Sequence, residues 1–217
     1  MEMGKSWMLP IDKTYSLVTQ LEGLEELKQA ASGKQGIILL APHLSNWEIF
    51  GIYACQNIVS TFMYQPPKLP ALDRLLQRTR SRGGMKLAPA DRKGVSLLLK
   101  ALQRGEMVGV LPDQVPNDEG GVFANFFGKQ ALTMTLVSKL VARSQARVFC
   151  GFVVRLPKSG GFKLTIREAD KSIYDEDLIT SVSGLNKSVE NCVLTAVEQY
   201  QWEYKRFRRQ SDGEKFY

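Results

Sequence analysis

The chain has 217 residues, 44% of them hydrophobic, with 29 Lys and Arg against 22 Asp and Glu and one histidine. That length builds one compact domain with a substantial core, and a formal charge of +7 attracts anions such as a phosphorylated lipid, an anionic bilayer or an acidic carrier protein. Nucleic acid is not expected, because neither a finger spacing nor an RNP-like segment occurs, and one histidine with three scattered cysteines (Cys55, Cys150, Cys192) provides no metal site and reads as reduced thiols. No run approaches the roughly 20 apolar residues of a membrane span, and the N-terminus, with acidic Glu2 and no long apolar stretch, is not a signal peptide.

In chain order, Leu21, Leu24 and Leu27 with Glu22, Glu25 and Glu26 between them predict a short amphipathic helix that stops before Ser32-Gly33. Residues 36–42 are apolar on both faces, as in a central strand of a covered parallel sheet, and end at Pro42-His43. A helix over 47–56, a strand over 60–64, a basic helix over 70–82 and a helix over 92–104 capped by Asp91 follow. Residues 107–111 form another buried strand, 116–129 a Gly-rich aromatic loop and 132–143 a helix. Strand 147–156 pairs with 162–168 as a hairpin across Ser159-Gly160-Gly161. A final helix spans 185–208, with Leu185, Val189, Val193, Val197 and Tyr200 as its apolar stripe. The alternation predicts an α/β fold: a single domain over 1–217, with a mixed, mostly parallel sheet flanked by helices. Ligands of such sheets sit at the carboxyl ends of strands, which directs attention to His43 and Asp113.

The segment Ala41-Pro42-His43-Leu44-Ser45-Asn46-Trp47-Glu48 puts a histidine in a strand-to-helix turn and a carboxylate in the first helical turn. Hydroxyl activation uses such a pair: neutral imidazole takes the acceptor proton while a carboxylate fixes its tautomer. The same residues also read as a capping box, with Glu48 bonded to the backbone of Ser45. No Gly-x-Ser-x-Gly elbow, dinucleotide turn or phosphate loop competes, and a cysteine nucleophile would have to share the one histidine.

Residues 38–48 resemble the His-x4-Glu motif of lysophospholipid-type acyltransferases, specifically the lipid A biosynthesis lauroyl/myristoyl acyltransferase family, whose domain is glycerolphosphate acyltransferase-like. Further matches follow in order: Arg78-Thr79-Arg80, Asp91-Arg92-Lys93-Gly94, Leu111-Pro112-Asp113-Gln114, Phe126-Phe127-Gly128, Gln199-Tyr200-Gln201-Trp202 and Lys205-Arg206-Phe207. The resemblance covers residues 21–208. It implies transfer of a fatty acyl group from acyl carrier protein to a hydroxyl of a lipid A precursor or related membrane lipid, without a cofactor. His43 would be the base and Glu48 its orienter. Arg78, Arg80, Arg92, Asp113 and Gln114 would bind substrate, with Arg78 on phosphate or the thioester oxygen. The structural alternatives are a solvated basic helix face for Arg78 and Arg80 and an ordinary turn for Asp113.

Two departures from the family are expected: Tyr64-Gln65-Pro66 has glutamine where relatives often carry arginine, and the domain over 1–217 would lack the N-terminal membrane anchor that the resemblance implies ahead of the first motif. The family works at the cytoplasmic face of the bacterial inner membrane, where this chain would be peripheral or soluble, with Lys205, Arg206, Arg208 and Arg209 toward the anionic leaflet. Two other readings are a transferase for a glycerophospholipid acceptor and a non-catalytic lipid- or nucleic-acid-binding module. An acceptor screen and the consequence of losing His43 separate them.

Overall fold

The computed structural model describes residues 2–213 and 216–217; Met1, Glu214 and Lys215 lie outside the described residues. The chain enters through helices α1 (Glu2–Met8) and α2 (Ile11–Ser16), then runs β1 (Val18–Glu22), α3 (Leu24–Ala31), β2 (Ile37–Leu40), α4 (Trp47–Ala54), β3 (Ser60–Tyr64), α5 (Pro70–Arg82), β4 (Met85–Pro89), α6 (Arg92–Gln103) and β5 (Met107–Val110). It continues through β6 (Gly121–Phe126), β7 (Lys129–Met134), α7 (Leu136–Ser144), β8 (Arg147–Arg155), β9 (Phe162–Glu168) and α8 (Leu178–Val193). Seven strands form one sheet in the order β1-β9-β8-β2-β5-β3-β4, parallel from β8 to β4, while β9 runs antiparallel to β8.

Strand β2 lies at the centre, and its alternating side chains divide the core. Ile38 and Leu40 pack with α6, α7 and α8 on one face; Ile37 and Leu39 pack with α3 and α4 on the other. All four are at most 1% exposed, and each such burial contributes about 2 kcal/mol. A run apolar on both faces is therefore what this position requires. The α/β class, the parallel sheet and the helices on both faces are as the sequence predicts. The three cysteines are free and buried.

Four local expectations change. The Leu21, Leu24, Leu27 triplet straddles a break at Gly23, whose left-handed φ of 76° ends β1, so the helix begins at Leu24 and Leu21 is exposed on an edge strand. Residues 85–89 add an edge strand, β4, that its short sequence does not announce. The 116–129 loop is half of a hairpin: Phe127 and Gly128, at φ 50° and 74°, form a two-residue turn joining β6 to β7, which delays the next helix from 132 to 136. Helix α8 starts at Leu178, capped by Asp177, and stops at Val193, leaving Val197 exposed; Tyr200 lies in extended backbone that bridges Leu44. No helix among the described residues is long and apolar enough to cross a membrane.

Candidate active site

Strands β2 and β5 are parallel neighbours with Leu40 opposite Val110, and the Ala41 N–H donates to the Val110 carbonyl at 2.9 Å. Three residues beyond these partners stand His43 and Asp113. Helix α4 leaves β2 toward one face of the sheet, while the chain leaving β5 packs on the other through α7, so a crevice opens between the strand ends. The His43 turn is fixed by non-local contacts. Ser45 N–H donates to Gln199 O at 2.8 Å, Gln201 N–H donates to His43 O at 3.0 Å, and Leu44 bridges Tyr200. Asn46 caps α4, its Oδ1 accepting from the Ile49 N–H at 3.1 Å.

Asp113 grips His43 twice: one carboxylate oxygen accepts from its backbone N–H at 2.8 Å and the other lies 2.7 Å from Nδ1. His43 is 2% exposed and Asp113 3%. With Asp113 ionised, Nδ1 carries the proton and Nε2 keeps its lone pair. Nε2 lies 3.4 Å from the Gln114 amide, and both side chains line a cleft of about 320 Å³ that also takes in Trp47, Tyr64, Arg80 and Tyr204. Trp47 and Tyr204 stand edge-on to the imidazole at 5.2 and 4.8 Å, walling it from bulk water.

Glu48, also 2% exposed, is not the imidazole's partner. Its carboxylate takes both ends of the Arg80 guanidinium, at 2.6 and 3.3 Å, and Arg80 in turn lies 5.0 Å from the Tyr64 ring centroid and 5.7 Å from that of Trp47. The expected capping box does not form either, because Asn46 is the cap and Glu48 is drawn to the cation. Tyr64 donates to Asp73 at 2.5 Å; burial first, then that carboxylate, push its phenol up to about 12, so it stays a neutral donor beside Arg80.

Residues 1–209 match the family described as bacterial lipid A biosynthesis acyltransferase. The chain belongs to the bacterial lipid A biosynthesis acyltransferase family. It is 28% identical over 214 residues to the lipid A biosynthesis lauroyltransferase of Escherichia coli K12, covering 98% of this chain and 69% of that protein. Against a lipid A biosynthesis acyltransferase of Haemophilus influenzae, identity is 33% over 198 residues, or 90% of this chain and 61% of the relative. Against the palmitoleoyltransferase of E. coli K12 it is 28% over 218 residues, or 98% and 69%.

In this lipid A-type acyltransferase the remaining sequence-predicted residues separate into two groups. Arg80, Asp113 and Gln114 meet His43 and Glu48 around the cleft. Arg78 and Arg92 are exposed and do not line it. Arg78 precedes Arg80 by two positions on α5, about 200° around the helix, so the two cannot share a face. Arg206, expected at a membrane surface, is buried behind the site at 3% exposure. Trp47, Tyr64 and Tyr204 are cleft residues that sequence reasoning assigned no role. The signal for Trp47 and Tyr64 was their place at strand and helix ends flanking His43; Tyr204 carried none beyond its aromatic neighbours.

Proposed function

We propose that this acyltransferase moves a fatty acyl group from the thioester of acyl carrier protein to a hydroxyl of a lipid A precursor, at the cytoplasmic face of the bacterial inner membrane. The observation that supports this most is the His43–Asp113 pair, which keeps Nε2 of a single buried imidazole available as base at the wall of a cleft. The acceptor hydroxyl gives its proton to Nε2 as its oxygen attacks the thioester carbonyl. The C–O bond forms, the carbonyl electrons move to oxygen, and collapse breaks the C–S bond, the imidazolium returning its proton to the thiolate. Arg80, held by Glu48, presents positive charge to the developing oxyanion or to an acceptor phosphate. A net charge of +7 favours approach of an acidic carrier and a phosphorylated saccharolipid. The relatives' names, lauroyltransferase and palmitoleoyltransferase, fit a fatty acyl group as cargo.

Transfer of labelled acyl groups from acyl carrier protein, in detergent micelles, to a lipid A precursor and separately to a lysophospholipid tests the assignment. Product on the lipid A precursor alone is expected. Product on the lysophospholipid alone moves the protein to a glycerophospholipid acceptor, and binding of both without transfer reduces it to a lipid-binding module.

A further inference from the structure

We propose that the cleft rim formed by residues 65–69 and 90–93, continued by the outer face of α5, is the docking surface for the acidic carrier that delivers the acyl thioester. The inference rests on that carrier being the donor. The first observation is where the charge lies. Residues 64–93 hold eight Lys and Arg against two Asp, so these thirty residues carry +6 of the formal +7 and the remainder of the chain is close to neutral. Both carboxylates of the stretch are engaged locally: Asp73 accepts from Tyr64 at 2.5 Å and Gln77 at 2.9 Å, and Asp91 accepts from the Gly94 N–H at 2.8 Å. Of the cations, Arg80 is held by Glu48, and Arg82 donates to the Trp7 and Leu9 carbonyls. Lys68, Arg74, Arg78, Arg92 and Lys93 are exposed, and among the described residues no ion pair holds any of them. The opposite edge of the sheet is neutralised within the fold: Glu22 takes Lys163 at 2.6 Å and Arg167 at 3.2 Å, and Arg147 pairs with Glu168.

The second observation is placement. Strands β3 and β4 are parallel, with Tyr64 opposite Pro89, so the chain leaves both at the end of the sheet where His43 stands. Pro67 and Ala90 line the cleft; Lys68 directly follows the first, and Arg92 and Lys93 come two and three positions after the second. Arg74 and Arg78, four positions apart, share the face of α5 turned away from Leu76 and Arg80, which line the cleft. A partner seated on this rim therefore has its thioester beside the imidazole. The side chains favour a folded acidic protein over a bilayer. Guanidinium forks match carboxylates, whereas a membrane surface is held by Trp and Tyr among the basic residues, and residues 65–69 and 90–93 include no aromatic. The exposed Trp202 and Tyr204 belong instead to the segment that follows residues 199–201.

The test compares two donors of the same acyl group, acyl carrier protein and uncharged acyl-pantetheine, with the full chain and its variant Lys68→Glu/Arg74→Glu/Lys93→Glu. The KM for the carrier thioester is expected to rise about tenfold at low salt with kcat within about twofold, and the gap should shrink as salt screens the surface. The KM for acyl-pantetheine should stay within about twofold, and Lys34→Glu, a charge reversal on an exposed residue ahead of β2, should leave both donors as in the parent. A triple variant that keeps the parent's carrier KM, or that loses both donors equally, overturns the proposal. So does a variant that keeps that KM but no longer binds phosphatidylglycerol vesicles, which gives the surface to the bilayer. Carrier binding, followed by fluorescence anisotropy, separates this inference from the proposed reaction. If the parent binds the carrier and the variant does not, yet no acyl group reaches a lipid A precursor, the docking surface stands and the acceptor assignment falls; a parent that neither binds nor uses the carrier removes both.

Discussion

The two ends of the parallel sheet hold cavities of opposite character. At the end where the strands begin lies the larger one, about 530 Å³, lined by Lys28, Ser32, Gln56, Asn57, Val59 and Glu106. Its charges are committed to local neighbours, Lys28 to Glu25 at 2.8 Å and Glu106 to Arg104 at 2.7 Å. At the end where the strands finish, the cleft is about 320 Å³, yet His43, Glu48 and Asp113 converge there almost free of solvent and paired across long stretches of chain. Volume therefore does not locate the chemistry. Convergent, desolvated ionisable groups at the strand carboxyl ends do, because only there does each charge act at low effective dielectric.

Removing the base breaks this contrast most severely. His43→Ala is expected to lower kcat/KM by about 10²–10⁴, the usual contribution of a positioned general base, with the circular dichroism spectrum unchanged. Next, Glu48→Gln or Arg80→Met leaves the partner charge buried and unpaired, at a cost of about 3–5 kcal/mol in urea unfolding, and the double variant recovers part of that loss. A stability profile against pH gives a smaller effect. Tyr64 and Cys55 are both raised to about 12 in the fold, by burial first, from ordinary values of 10 and 9. Groups raised by folding contribute fully below their unfolded values, so the unfolding free energy should fall as pH rises from about 9 to 12, by up to about 1.4 kcal/mol per pH unit and group. A flat profile over that window contradicts this burial. The larger cavity supplies the smallest effect: Lys28→Ala, which removes an exposed pair, should leave acyl transfer intact and stability within about 0.5 kcal/mol.

Much of the frame was legible because its causes are local. The apolar run before Pro42 marks β2, Asp91 caps α6 by accepting from the Gly94 N–H at 2.8 Å, and Ser159-Gly160-Gly161 lies in the turn between β8 and β9. His43 and Asp113 stood out as residues just past the two most apolar strands. Which carboxylate serves the histidine was not legible. Glu48 is five positions away along the chain, but sheet order sets β5 beside β2 and brings Asp113 from 70 positions away, while Glu48 turns to Arg80. Helical spacing carried the last helix too far for a related reason. The backbone of residues 199–201 finds partners in residues 43–45, a long-range pairing that periodicity does not contain.

The division of labour between the two buried carboxylates is tested most directly by acyl-transfer kinetics of Asp113→Asn beside Glu48→Gln, at protein concentrations corrected for folded fraction. Asp113→Asn is expected to lose about 10³–10⁴ in kcat, because the imidazole loses its orienting acceptor and its tautomer, whereas folded Glu48→Gln retains substantially more. Near-parent turnover in Asp113→Asn together with abolished turnover in Glu48→Gln would contradict the account and return the orienting role to Glu48.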